Sequence, residues 1–594
     1  MSREALVGIR IAALLGGLVC AQAGCRTVAG HRAATDRAAA VTLATAQQAA
    51  GGHVEPIVLE SAEATLRQRL LRDQDLPVAD PASLGVQAIP ASPAWDPARH
   101  LTSTGGAARV AAPAPELMIT LTSALQIAAR NSRDYQAEKE ALFREALRLD
   151  LTRDDYRHTF SGALSAEATR DGGGAAPVET TQVSGELGVS RRLLSGVSYR
   201  TRVAVDLAKL LTQDAASSLG LLADASISIP LLRGAGRLVA GEPMLQAERD
   251  MHDGVLAFER FKRVFAVRIA AAFFGVLREE QQVRNAEQNY ERLVVASRRT
   301  RRLADAGRLP EIQYDQTVQD ELRARTRWIT AQQSYAGRRD EFNVLLGLPP
   351  DAGVRLDSAE LDRLNAVQGG ASAGEPAQPD ETAAVRTALE RRLDLRRARR
   401  RVADATRHVT IAADALRAEV TLLGSAEMGS RRSGTGGAGE ANVRLQPRRG
   451  TYGGLLTIDL PFERTAEAIA YRESLLALDA AVRDLQEIED RVKVEVRGTL
   501  RELTRTREEL LIQRKAVPLA EKRVASTDLF LQAGRVQVRD VLEAQEALVT
   551  AQNALTTAVV AYRLAELALL RDMGQLDMTV DGLWNVPNSE ELSE

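Results

Sequence analysis

Cys25 is the one side chain whose neighbours specify a reaction. It follows Ala23-Gly24, and upstream stand Arg3, Arg10 and the apolar run Ile11 to Cys20. A positive start, a short apolar core and small residues at a cut are the parts of an export signal. Ala23-Gly24-Cys25 resembles a lipobox, whose thiol takes a lipid anchor, although Gln22 stands where an aliphatic residue is usual. The sequence therefore predicts a leader over residues 1–25 and lipid attachment at Cys25, with plain cleavage after Ala23 as the alternative. The apolar run is shorter than the roughly 20 residues of a transmembrane helix. Cys20 is the only other cysteine, so a processed chain holds at most one thiol, with no internal disulfide and no cysteine-based metal site.

Other chemistry finds less support. His31, His53, His100, His158, His252 and His408 are scattered, without ligand spacing. Gly434-Thr-Gly436-Gly-Ala-Gly439 matches a dinucleotide GxGxxG pattern in form only, because no βαβ unit surrounds it. There is no Gly-rich loop ending in Lys-Ser/Thr, no nucleophile elbow and no cleft-forming carboxylate pair. Asp540 and Glu543 stand three apart, which puts both on one face of a helix. The reading is no enzyme, no cofactor and no metal centre.

The elements that would position these residues are repeated. Ala306-Gly307-Arg308-Leu309 leads to Leu346-Gly347-Leu348, and Ala533-Gly534-Arg535-Val536 leads to Met573-Gly574-Gln575. Gly307 to Gly534 and Gly347 to Gly574 are both 227 positions, so the segment recurs without a net insertion. A duplicated unit without catalytic residues points to architecture before chemistry. Formal net charge is −2 from 77 basic and 79 acidic residues, which argues against nucleic acid as a partner. Aromatics are 4%, low for a large core and suited to long helices meeting along narrow seams.

Each repeat has the same order. A helix opens it, Leu121 to Tyr156 or Thr382 to Arg417, and a strand-rich region ends at Ile229-Pro230-Leu231 or Leu460-Pro461-Phe462. A long helical pattern then reaches the Ala-Gly-Arg turn, and a helix returns. Pro230 to Gly307 is 77 residues and Pro461 to Gly534 is 73. At 1.5 Å per residue, a helix of about 65–70 residues spans roughly 100 Å, against an ordinary mean of about 11–12 residues. Leu475, Leu478, Val482, Leu485, Ile488, Val492, Val496, Leu500 and Leu503 form a coiled-coil stripe, and Pro518 is expected to kink that helix. Tyr199 to Leu207 and Val183 to Ser190 alternate apolar with polar residues, as a membrane-barrel strand requires and as an ordinary half-buried sheet also would. Repeat one is 29 residues longer across its strand region, enough for an extra hairpin around Ser195-Gly196. The expected organisation is a leader (1–25), an Ala/Pro-rich extension (26–115), repeat one (116–350), a linker (351–380), repeat two (381–576) and a tail (577–594). The extension reads as a tether or peripheral wrap.

In sum of pattern and order, residues 116–576 resemble the TolC-type outer-membrane efflux protein family. The resemblance rests on Leu121-Thr-Ser-Ala-Leu-Gln-Ile-Ala-Ala-Arg-Asn131, Ile229-Pro230-Leu231-Leu232-Arg-Gly234, the two Ala-Gly-Arg turns and Leu345-Leu-Gly-Leu-Pro349. It implies a mainly α chain with membrane β structure: a duplicated repeat of long antiparallel coiled-coil helices plus strands. It further implies a homotrimer in which each chain gives four strands to a 12-stranded barrel in outer-membrane lipid, continuing into a periplasmic α-helical barrel. Such a channel is the exit duct of an efflux or type I secretion system, with a periplasmic adaptor and an inner-membrane transporter as partners. Adaptor docking is implied at Ala306, Gly307, Arg308, Ala533, Gly534 and Arg535. The periplasmic constriction is implied at Asp540 and Glu543, six and nine residues after Gly534. Gln313 and Gln316 stand at the matching places of repeat one, and Leu531 and Val536 replace the family's gate-tying Tyr and Arg. The alternative is a periplasmic coiled-coil scaffold or adaptor without a pore.

Overall fold

The computed structural model describes residues 27–50, 65–78, 116–171, 178–210, 218–370, 380–429, 447–460 and 462–577, with positions 54, 56, 57, 59 and 83. The leader with Cys25, most of the Pro77 to Pro115 run, the linker over 371–379, the Gly434 to Gly439 pattern and the tail from 578 lie outside them.

The described chain is mainly helical. Its helices of eight residues or more are α1 (Val28–Ala50), α2 (Leu66–Asp73), α3 (Leu121–Asn131), α4 (Arg133–Asp154), α5 (Glu242–Asp305), α6 (Glu311–Leu345), α7 (Ala359–Gly370), α8 (Glu381–Arg391), α9 (Leu393–Ala415), α10 (Thr465–Gln532) and α11 (Val538–Asp572). The strands are β1 (Leu117–Ile119), β2 (Thr159–Asp171), β3 (Val178–Arg192), β4 (Ser198–Leu210), β5 (Ser218–Pro230), β6 (Val354–Leu356), β7 (Glu419–Gly429) and β8 (Thr451–Asp459). The long helices have 64 residues in α5 and 68 in α10, with Pro518 inside α10. Where single opening helices were expected, each is broken, at Ser132 and at Arg392. Both break residues take an extended backbone, φ −64°, ψ 131° and φ −65°, ψ 128°, which a helix cannot continue through.

The chain forms two compact units: Met1–Val54 with Leu142–Gly254 and Arg399–Asp484, and Glu55–Ala141 with Val255–Ala398 and Leu485–Glu594.

The first unit is built on one antiparallel sheet in the order β2-β3-β4-β5-β7-β8. This corrects the expectation of four strands per chain, and with it the count of 12 that three such chains would give. The physical reason is the surplus length of repeat one: its strand region forms the four strands β2 to β5, and repeat two supplies β7 and β8. Ser195-Gly196, expected to mark the extra hairpin, lies in the turn between β3 and β4. Gly196 has φ +93°, and a Cβ there would meet the Gly234 carbonyl oxygen at 2.8 Å. The sheet's near ends are tied to the helices, as Tyr156 Oη donates to the Ala240 carbonyl at 2.9 Å and Arg191 Nε donates to the Tyr156 carbonyl at 3.0 Å. The start of α5 meets α9 through a charge ladder: Arg407 with Glu242 at 3.1 Å and Asp404 at 2.7 Å, Arg400 with Asp253 at 3.4 Å, and Arg249 with Asp404. Within the expected tether, α1 buries Ala39, Thr42, Leu43 and Gln47, and Arg153 Nη1 donates to Thr42 Oγ1 at 3.2 Å.

The second unit is a helical core. Tyr135 packs on Phe258 and Phe265, with ring centroids 5.6 and 5.4 Å away, and Phe273, Phe274 and Phe342 form a second aromatic group. Val492, Val496 and Leu500 of the predicted stripe bury against Ala384, Ala388, Leu569 and Met573, with Ile488 and Leu503 half-buried beside them. Residues from the expected extension and linker join this core. The α2 start donates Leu66 N–H to Asn131 Oδ1 at 2.7 Å, and β6 pairs parallel with β1. Arg392, only 2% exposed at its side chain, donates to Asp394 at 2.7 Å and to Glu495 at 2.6 Å, and Arg260 adds a contact to Asp394 at 3.1 Å. Burial alone would push the Asp394 carboxyl up, but hydrogen bonding from Arg392 and the charges of Arg260 and Arg392 hold it below the ordinary carboxylate range.

Candidate functional site

The sheet's two faces differ in kind, and the register fixes them. Phe160, Gly162, Leu164 and Ala166 of β2 stand opposite Val189, Leu187, Gly185 and Val183 of β3. Val189, Leu187 and Gly185 stand opposite Thr201, Val203 and Val205 of β4, which face Ala225, Ala223 and Leu221 of β5. The same side continues through Leu422, Gly424, Ala426 and Met428 of β7 to Leu456, Gly454 and Tyr452 of β8. Successive side chains alternate across a strand, so all these residues share one face. The face is mainly apolar across all six strands, with Thr201 and, at its near end, Arg191 as polar members, and much of it is exposed: Phe160 is 77% exposed, Leu187 68% and Ile458 55%.

The opposite face carries the polar set. Arg202 Nε donates to Asp224 Oδ2 at 2.7 Å, and Arg202 Nη1 reaches Glu186 Oε1 at 3.4 Å, linking three consecutive strands. Glu427 stands opposite Asp224 on the next strand, and Ser165 and Ser184 share a 2.6 Å hydroxyl contact. Leu423 opposite Leu455, and the buried Ala204 opposite Leu222, are apolar exceptions on this face. The alternation over Tyr199 to Leu207 puts Arg202 on the polar side of its strand but does not identify Glu186 and Asp224 as its partners. Only the inter-strand register brings them together.

The Ala-Gly-Arg turns are two copies of one geometry. Gly307 and Gly534 have φ +66° and +68°, in the left-handed region that glycine adopts without a Cβ penalty. Gly307 N–H bonds the Ala304 carbonyl at 2.8 Å and Arg308 N–H that of Leu303 at 2.9 Å. Gly534 and Arg535 do the same with Leu531 at 3.0 Å and Phe530 at 2.9 Å. This paired closure satisfies carbonyls that a helix end leaves unpaired. A Cβ on either glycine would meet nothing within 4 Å, so both turns are open. Ala306 and Ala533 precede the glycines and Arg308 and Arg535 follow them, all at solvent-exposed or half-buried positions.

Beside the second turn, the two carboxylates read from the spacing both have partners. Asp540 Oδ2 accepts from the Gln537 N–H at 2.9 Å and so caps its own helix, α11. Glu543 Oε1 accepts from Arg523 Nη2 at 3.1 Å, both side chains being more than half exposed. Leu531 packs on the buried group Leu293, Ala324, Val538 and Leu542. Among the described residues no group of His, Cys, Asp and Glu is placed to hold a metal ion.

No family model and no curated protein matches this sequence. Solved structures match in shape. The outer-membrane channel OprN aligns with a TM-score of 0.54 at 15% identity, over 77% of this chain and 90% of its own. CusC, whose crystal structures follow folding and transmembrane channel formation, aligns at 0.55 and 14% identity, over 76% and 92%. The CmeC outer membrane channel of Campylobacter jejuni aligns at 0.53 and 12% identity, over 80% and 88%. The chain thus shares the fold of these outer-membrane channel structures.

Proposed function

We propose that this chain is the subunit of an outer-membrane exit duct, a passive conduit and not an enzyme. Three copies span the outer membrane through their sheets and enclose a periplasmic bore with their helices. The observation that carries this reading is the six-stranded sheet with one mainly apolar face, much of it exposed, from β2 to β8. In water such a face is a liability. In a bilayer it is what a barrel presents to lipid, while the Arg202, Glu186 and Asp224 side chains face the lumen. Lipid also forbids open sheet edges, so the sheet needs further copies to close it. Leu511, Ile512, Leu519 and Phe530 leave a second exposed apolar set on α10, suited to helices of neighbouring copies.

The chain carries no ATPase motif, so the energy comes from an inner-membrane transporter acting through a periplasmic adaptor. The adaptor docks at the turns Ala306-Gly307-Arg308 and Ala533-Gly534-Arg535, whose matching geometry supports an internal duplication. Asp540 and Glu543 form the acidic constriction, Cys25 takes the lipid, and residues 1–25 direct export. A pore-free periplasmic scaffold would have no use for an uncovered apolar sheet face. Mass in mild detergent and conductance in planar bilayers test the proposal: stable trimers that conduct are expected. A folded monomer with full strand content overturns it.

A further inference from the structure

We propose that β2 of one copy pairs with β8 of the next, so that three copies close a barrel of 18 strands, six from each. This rests on the channel reading above and goes beyond it. Four observations carry it. First, among the described residues β2 and β8 are the edges of the sheet, and each has a strand on one side only. Second, all five pairings in the sheet are antiparallel, so with six strands β8 runs opposite to β2. A β8 edge can therefore meet the next copy's β2 in the same antiparallel sense as every internal pair. The chain reaches β2 from α4 and leaves β8 into α10, so a ring closed this way keeps the helical ends of all copies on one side.

Third, the apolar face reaches both edges in phase. Phe160 and Leu164 on β2 lie on the same side as Tyr452, Leu456 and Ile458 on β8. A hairpin folded away from lipid would have no reason to keep that phase. Fourth, a four-stranded contribution would need β4 as its edge, and β4 is already paired along both sides. Its partners are Thr180 to Arg192 of β3 and Ser218 to Ser228 of β5.

The consequence is calibre. With strands about 4.8 Å apart and tilted about 40°, 12 strands give a backbone diameter of about 24 Å and 18 strands about 36 Å. At 18 strands barrels leave an aqueous channel. The sheet then places no sieve on small solutes, and selection falls to the helical bore.

The test is disulfide trapping in a Cys25→Ser chain. Ser161→Cys on β2 is combined in turn with Gly453→Cys, Leu455→Cys and Thr457→Cys on β8, all on the polar face. Arg200→Cys on β4 replaces the β2 cysteine in a parallel set. Oxidation of the detergent-purified protein is expected to give covalent dimers and trimers for at least one β2–β8 combination and none for the β4 set. Electron microscopy of the wild-type particle in lipid nanodiscs counts the strands directly and does not depend on variant folding. Trimers with 12 strands, or β4–β8 linkage, overturn the 18-stranded closure and leave the channel standing. A monomeric wild type overturns the channel reading itself.

Discussion

Gly347 closes against Asn131 so tightly that a Cβ on the glycine would fall 1.9 Å from the Asn131 carbonyl oxygen. Its backbone is also left-handed, at φ +79°. Gly307 shares the turn geometry but faces open space. The two glycines, 40 positions apart, are therefore under different constraints. Gly307→Ala should cost only the left-handed strain, about 1–2 kcal/mol. Gly347→Ala should add overpacking and reach about 3 kcal/mol or more. Chemical denaturation of the two variants checks the order, and equal losses would refute it.

The same contrast makes the turns good probes of adaptor docking. A Cβ at Gly307 or Gly534 would meet nothing within 4 Å, so Gly307→Val and Gly534→Val should strain the turn itself, and trimers should still assemble while transport is lost. Normal efflux by these variants would place docking elsewhere.

The sheet faces should differ in what they tolerate. Leu187→Arg, on the apolar face, should cost about 2–4 kcal/mol near the bilayer midplane and deplete membrane-inserted trimers. Ala163→Arg, on the polar face opposite Glu186, should insert normally. Heat-resistant trimer yield in membrane fractions distinguishes the two. Equal yields would mean that the apolar face does not meet lipid.

Asp540 and Glu543 can be neutralised without dismantling their surroundings. Asp540→Asn keeps an oxygen to accept from the Gln537 N–H, and the exposed Glu543–Arg523 pair contributes about 1 kcal/mol at most. The double variant Asp540→Asn, Glu543→Gln should therefore fold and lose cation preference in bilayer recordings. Unchanged selectivity would leave Asp540 as a helix cap and Glu543 as a surface ion pair.

Acid should find the Arg392 network. The Asp394 carboxyl is held below its ordinary value in the folded chain, so its contribution is present above the unfolded value of about 3.9. That contribution is lost as pH falls through the depressed value, so stability should decline below about pH 4. Asp394→Asn should flatten that part of the profile. Arg392→Met, which takes the buried guanidinium from Asp394 and from the part-exposed Glu495 and leaves Arg260 as the cation on Asp394, should cost about 2 kcal/mol at neutral pH. Thermal melts across pH for both variants check the sign.

Legibility in the sequence followed the reach of each signal. The turn glycines were readable because a left-handed backbone demands one residue type at one place. The strands of repeat one were readable as alternation and as surplus length, but their number and register depend on partners far along the chain. The break at Ser132 carries no Pro or Gly to announce it, and the one at Arg392 is stabilised by Glu495, 103 positions later. The helix α1 hid in an Ala-rich stretch because its buried side is Ala39, Thr42, Leu43 and Gln47, mostly small or polar residues. Asp540 could have been read as a cap from Gln537-x-x-Asp540, although that pair is weaker than the Ser/Thr and Glu form of the motif.

Pro230 ends β5 opposite Thr421 of β7, 191 positions later in the chain. The turn from Arg192 to Ser198 joins neighbouring strands across six positions. Closing the longer loop costs about 3 kcal/mol more in chain entropy than closing the shorter one. Strands β2 to β5 can therefore zip up as local hairpins soon after they are made, while β7 and β8 must wait for most of the chain. During that interval β5 exposes an unpaired edge beside an apolar face, the combination most open to mispairing with another copy. The slowest and most fragile moment in the life of this protein should be the arrival of β7 at β5.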